Sequence, residues 1–159
     1  MTMPRSAGLL PLLLLVACSG AMAPDPGPTD AAADPLAQVG RWSLQGATDA
    51  RGQPIAEVLP GGRALHALAF GGGRVAIEHG CNHIGGSYRI ESGGWLRVGE
   101  MESTLMACED QALMAADAAV AGLLEGRAQW RIAESYPERL VLEHDDGRSS
   151  RWVADRPPH

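Results

Sequence analysis

Two cysteines and their histidine neighbours have the types and spacing to do chemistry. His79, Cys81 and His83 alternate, so an extended strand would turn all three the same way, with Cys108 or His66 completing a tetrahedron. Thiolate with imidazole suits zinc or copper. The same residues suit covalent catalysis, with Cys81 as nucleophile, His83 or His79 as base and Asn82 orienting it. Two outcomes involve no reaction: a Cys81–Cys108 disulfide, or a pair of buried, reduced thiols. Gly80 and Asn82 favour a turn, which would spoil the alternation a metal site needs. Residues adjacent in sequence also rarely converge into a catalytic constellation. The chain has no Gly-x-Ser-x-Gly elbow, His-Glu-x-x-His pair or dinucleotide fingerprint. All thirteen of its basic residues are arginine, which excludes a Walker-type phosphate loop and Schiff-base chemistry.

Which chemistry is open depends on the compartment, and the N-terminus reads as an export signal. Arg5 supplies a positive start, and Leu9 to Val16 form an apolar core interrupted by Pro11. That core is well short of the ~20 residues of a membrane-spanning helix. Leu15-Val16-Ala17-Cys18 matches a lipoprotein signal, cut before Cys18, whose thiol then carries diacylglycerol. The competing cut after Ala21-Met22-Ala23 would leave Pro24 next to the scissile bond, a poor fit to signal peptidase. Ser19 follows the cysteine, with no aspartate of the kind that retains lipoproteins in the inner membrane. The expectation is an outer-membrane lipoprotein facing the periplasm, with residues 1–17 as signal. Several acyl chains make such an anchor essentially permanent. Residues 18–38, rich in Pro, Ala and Asp, are expected to form a flexible tether.

The remaining segment, 39–155, suits one domain with a real core. The net charge of −6 argues against nucleic acid, whose binding rests on a basic patch. Short alternating runs punctuated by glycine predict an antiparallel sheet. Trp42 and Leu44 share a face of the first strand. Leu65–Phe70 and Arg74–His79 flank Gly71-Gly72-Gly73, and Ser87–Ile90 and Trp95–Val98 flank Glu91-Ser92-Gly93-Gly94. A three-strand meander follows from 128 to 153. Residues 46–64 read as an irregular connection because Pro54 and Pro60 would break a central strand. One segment changes period: over 109–125, Leu113, Ala116, Val120, Leu123 and Leu124 recur at helical spacing. The expected fold class is α+β, a curled, partly closed sheet of seven to eight short strands packed with one amphipathic helix. The tryptophans are expected in the core or lining the barrel, and Met101, Met106 and Met114 in gaps of the core.

Gly80-Cys81-Asn82, then Gly85-Gly86-Ser87-Tyr88, then Thr104-Leu105-Met106-Ala107-Cys108 before a helix, resemble the META domain family. That family includes the bacterial HslJ-type heat-shock lipoproteins. The resemblance runs from about Val39 to Asp155 and rests on Gly80, Cys81, Asn82, Gly86, Tyr88, Thr104, Met106 and Cys108 in this order. It implies an α+β META fold and an envelope role linked to stress or antibiotic tolerance. It also implies no enzymatic activity and no cofactor. A similarity of the fold to pilot proteins that escort secretins suggests binding of an envelope protein or an apolar ligand. Asn82 is expected to bond backbone in a tight turn, Gly85 and Gly86 to serve backbone geometry, and Thr104 to cap the turn before the helix.

In an oxidising periplasm, Cys81 and Cys108 most simply pair, which would staple the helix to the sheet. The metal set His79, Cys81, His83 and Cys108 and the cysteine hydrolase remain the alternatives. Counting thiols on the denatured, non-reduced, unlipidated domain separates them. No free thiol is expected; two free thiols with stoichiometric zinc or copper would overturn the pairing.

Overall fold

The expected alternation from Trp42 to Trp152 closes into a barrel in the computed structural model, which describes residues 34–133 and 136–155. The strands are β1 Arg41–Thr48, β2 Ala67–Gly71, β3 Arg74–Glu78, β4 Ile84–Glu91, β5 Trp95–Val98, β6 Glu102–Ser103, β7 Gly126–Ala133, β8 Arg139–His144 and β9 Ser149–Ala154. All pairings are antiparallel, in the order β3-β2-β1-β9-β8-β7-β5-β4, and β4 returns to pair with β3. This return closes an eight-stranded ring with no free edge of its own. Short β6 lies alongside the first residues of β4 as an extra strand.

Alternate residues fill the interior. Trp42 and Leu44 from β1, Leu68 and Phe70 from β2, and Leu140, Leu142 and Trp152 from β8 and β9 are buried together. Such aliphatic burial stabilises by roughly 1.5–3 kcal/mol per side chain. Trp42 and Trp152 therefore pack as core. Trp95 instead lies on the outer face with the Arg127 guanidinium over its ring, 3.9 Å from the centroid. The two glycines of β4 have a packing reason beyond backbone freedom. A Cβ at Gly86 would lie 2.7 Å from Met101 Sδ and 3.0 Å from Glu100 O, and one at Gly85 3.1 Å from Val75 O. β4 accordingly starts at Ile84, ahead of the run expected from Ser87.

A helix lies at each end of the barrel. Helix α1, Pro35–Val39, precedes β1. Asp34 caps it through Oδ1, accepting from Leu36 N and Ala37 N, and its Oδ2 accepts from the Tyr88 hydroxyl. The Trp42 indole donates to Leu36 O at 3.1 Å, and Leu36 is fully buried. The expectation of a tether reaching residue 38 is thus corrected: residues 34–38 belong to the fold, because Leu36 supplies a core side chain from within a stretch rich in Pro, Ala and Asp. The expected signal, Cys18 and the tether up to residue 33 lie outside the described residues. Helix α2, Gln111–Leu124, is capped by Asp110, which accepts from Ala112 N and Leu113 N. Its stripe of Ala116, Val120, Leu123 and Leu124 is buried. The connection expected to start at Gly46 begins later, since β1 continues through a register shift between Leu44 and Gly46 to Thr48. Two short 3-10 turns, Ala56–Val58 and Pro60–Gly62, then lead toward β2, the first against α2.

His144 points inward from β8, and neither ring nitrogen has a hydrogen-bond partner. Burial, reinforced by the charge of Arg148 and opposed by Asp146 and Asp145, holds its pKa below the ordinary 6.5. The folded state therefore prefers neutral imidazole, and stability is lost as pH falls below the unfolded value toward the folded one. The slope is at most ~1.4 kcal/mol per pH unit for one proton. Denaturant unfolding at stepped pH should show this loss below about pH 6.5, and His144→Leu should remove it. An identical pH dependence in that variant would refute the assignment.

Candidate functional site

Of the family-motif residues, Gly80, Cys81, Asn82, Thr104, Met106 and Cys108 assemble where β3 turns into β4, at the end of the barrel covered by α2, whereas Gly86 and Tyr88 lie further along β4. β3 ends at Glu78, and His79 takes a left-handed backbone conformation with φ 66°, unusual for a non-glycine residue. The strand alternation stops there, so His79, Cys81 and His83 do not share a strand face. Cys81 is joined to Cys108 in a disulfide, with Cα atoms 6.2 Å apart. Both thiols of the metal alternative, and the nucleophile of the hydrolase alternative, are therefore committed to the bond. Among the described residues, no three His, Cys, Asp or Glu side chains are arranged to hold a metal ion. A bridge across a sequence separation of 27 restricts the unfolded chain by about 3.5 kcal/mol in the chain-entropy account.

The centre of the cluster is Asp117, a carboxylate on the buried stripe of α2. Its Oδ1 accepts from His66 Nε2 at 2.8 Å, and its Oδ2 from Asn82 N at 2.8 Å and Asn82 Nδ2 at 3.3 Å. Asp117 and His66 are almost fully buried, and His66 Nδ1 has no partner. Gly80 allows this approach: a Cβ there would lie 2.2 Å from Asp117 Oδ1. Its requirement is space, since the positive φ belongs to His79.

Asn82 bridges two segments. Its Oδ1 accepts from Met106 N at 2.9 Å and from the Thr104 hydroxyl at 3.3 Å, while Thr104 Oγ1 accepts from His83 N at 3.0 Å. Asn82 thus bonds backbone, as expected, but in the distant 104–108 segment instead of its own turn. Thr104 ties that segment to β4, and the helix cap is Asp110. Held at Thr104, Met106 and Cys108, the segment presents Leu105 fully exposed and Met106 half-exposed; Met114, on the first turn of α2, is also exposed. Met106 and Met114 consequently do not fill core gaps, whereas Met101 packs against the core. Beside the segment, Ala69, Ala76 and Gly85 stand opposite one another on β2, β3 and β4 and leave a shallow groove of about 680 Å³ edged by Arg74, Glu102 and Thr104.

The family motifs drew attention to Cys81, Asn82 and Cys108 but missed Asp117, and His66 entered only as an optional fourth ligand in the metal reading drawn from the alternation of His79, Cys81 and His83. A signal for both existed: each is a polar residue inside an apolar pattern, Asp117 between Ala116 and Val120 and His66 between Leu65 and Ala67.

With six of the motif residues gathered around one turn and Gly86 and Tyr88 on the strand that follows it, the comparison with known proteins is direct. A family model described as the META domain matches residues 34–156. The chain belongs to the META domain family. Its start coincides with Asp34, the cap of α1. An NMR structure of a protein from Burkholderia xenovorans is similar at 22% identity and a TM-score of 0.60, covering 89% of this chain and 100% of that one. This likeness supports the fold. A second NMR structure is 19% identical with a TM-score of 0.48, covering 74% of this chain and 90% of that one. No curated protein matches significantly. The META family is not a known enzyme family.

Asp117→Ala would leave the Asn82 and His66 donors buried without an acceptor. A loss of about 3 kcal/mol or more is expected in denaturant unfolding, from ~1–3 kcal/mol per unsatisfied group. A loss below ~1 kcal/mol would show that the carboxylate does not hold α2 to the barrel.

Proposed function

We propose that this META domain is a non-catalytic lipoprotein module, anchored through Cys18 to the outer membrane and facing the periplasm. It binds an envelope protein through the Thr104–Cys108 segment and contributes to envelope stress or antibiotic tolerance. The supporting observation is Leu105. A fully exposed leucine has no folding reason to be there, yet its segment is held by a disulfide, two hydrogen bonds to Asn82 and two to His83. Rigid presentation lowers the ordering cost of binding, and exposed apolar groups gathered in one place mark interaction surfaces. The adjoining groove lets a partner backbone approach β2–β4 without meeting large side chains. Binding on the outer surface is favoured over capture of an apolar ligand inside, because Trp42, Trp152 and the leucines around them fill the barrel interior.

A photo-reactive amino acid at position 105 in intact cells should give discrete protein adducts that disappear with Met106→Asp, whereas one at exposed Arg51 should not. Leu105→Ser should change stability by less than ~0.5 kcal/mol while lowering tolerance to envelope stress. Equal labelling at both positions, or unchanged tolerance, would overturn the proposal.

A further inference from the structure

Four surface arginines on this domain are paired with carboxylates that no other arginine shares. Arg74 pairs with Glu102, Arg131 with Glu143 and Arg148 with Asp146, and Arg41 with Glu78 and Asp155. Three others share a single carboxylate. Arg89 on β4 stands opposite Arg97 on β5, which stands opposite Arg127 on β7, so one outward row of three guanidiniums crosses adjacent strands. Like charges directly opposed on a sheet are destabilising. A single carboxylate, Glu91, sits among them, accepting from the Nε of Arg89 at 3.1 Å, of Arg97 at 3.2 Å and of Arg127 at 3.1 Å.

The partial burial of Glu91 would raise its pKa, but the hydrogen bonds from Arg97 and Arg127 outweigh this and hold it below the ordinary value. Glu91 is therefore ionised at neutral pH, and three positive charges around one negative leave the row with an excess of two in a chain whose net charge is −6. Engaging all three Nε atoms fixes the guanidinium planes. Trp95 holds Arg127 from below.

Beside the row lies a small cavity of about 200 Å³, lined by Ser87, Tyr88, Arg89, Arg97 and Gly99. Gly99 keeps it open, because a Cβ there would stand 2.8 Å from Ser87 Oγ. The wall offers two guanidiniums and a hydroxyl, with no carboxylate. Planar, fixed guanidiniums beside a hydroxyl match the oxygens of a tetrahedral phosphoryl group.

We propose that Ser87, Arg89 and Arg97, with Arg127 adding charge, form a binding site for a phosphoryl oxyanion, either free phosphate or the phosphate of a lipid headgroup. A headgroup would reach the site from the membrane to which the proposed anchor ties the chain. The site does not depend on that anchor or on the Leu105 segment.

The full chain, purified in a nonionic detergent, is titrated in separate arms with inorganic phosphate and with short-chain phosphatidylglycerol, with sodium chloride as the ionic-strength control. NMR follows the Arg Nε–H signals, the Ser87 and Gly99 amides and the Trp95 indole N–H. Saturable shifts at these groups in either arm are expected, and the arm that saturates at the lower concentration identifies the source. Arg97→Gln and Arg89→Gln, each checked for intact signal dispersion, should each weaken binding by about tenfold or more, whereas Arg51→Gln should not. Shifts reproduced by chloride, no saturation in both arms, or affinity unchanged in Arg97→Gln would overturn the proposal.

Discussion

A buried carboxylate on a helix is tolerated only if its oxygens are met by donors, and the end of this barrel is organised around that requirement. Asp117 takes its donors from two places far apart in the chain, His66 just before β2 and Asn82 in the β3–β4 turn. Unpaired, such a charge would cost several kcal/mol, so the helix, the strand start and the turn form together or not at all. The close approach accounts for the glycine at position 80, and the left-handed His79 turns the chain into position for it. The disulfide adds a covalent tie at the same turn, to the segment that leads into α2.

The opposite end repeats this logic on a smaller scale. Asp34 satisfies the first turn of α1 with one oxygen and takes the Tyr88 hydroxyl on the other, while Trp42 meets the carbonyl of Leu36. Burial, with the bond to Asp34 and its charge, pushes the Tyr88 phenol well above its ordinary pKa, so it remains a donor at any physiological pH. β4 takes part in both closures. Its early residues need the absence of side chains at Gly85 and Gly86 to sit beside β3 and Met101, and its later ones carry Tyr88 inward and Arg89 outward. Inward residues of this strand thus seal the barrel while outward ones carry the unmatched positive charge.

Much of this was legible in the sequence. Period-two runs around glycine turns gave the hairpins, and the three- and four-residue spacing of Ala116, Val120 and Leu124 gave α2. The features that escaped depend on contacts between distant residues. Closure between β3 and β4 is a matter of register, invisible in either strand alone. Leu36 looks like an isolated leucine in a Pro- and Ala-rich stretch until the barrel end it fills exists. Met106 has the chemistry of a core residue, and only the bond from Asn82 to its backbone holds it at the surface. Alternation at His79, Cys81 and His83 suggested a ligand set, but alternation orients side chains only while the strand continues, and here it ends at Glu78.

The same rigidity sets what the domain can do. A barrel with a filled interior offers partners its outer faces, and the two departures from ordinary surface design lie on different parts of it. One is apolar, Leu105 and Met106 on a segment fixed by the motif residues; the other is cationic, the arginine row flanking Glu91. An apolar patch gives affinity through water removal and depends little on salt, whereas an arginine row gives orientation and long-range attraction that salt weakens. The motif residues fix the first surface directly, through Asn82 and Cys108. They reach the second indirectly, through Gly86 and Tyr88, which seat the strand that displays Arg89. The motif residues therefore fix the apolar segment directly, whereas the outward arginines of β4, β5 and β7 stand at positions outside the motif.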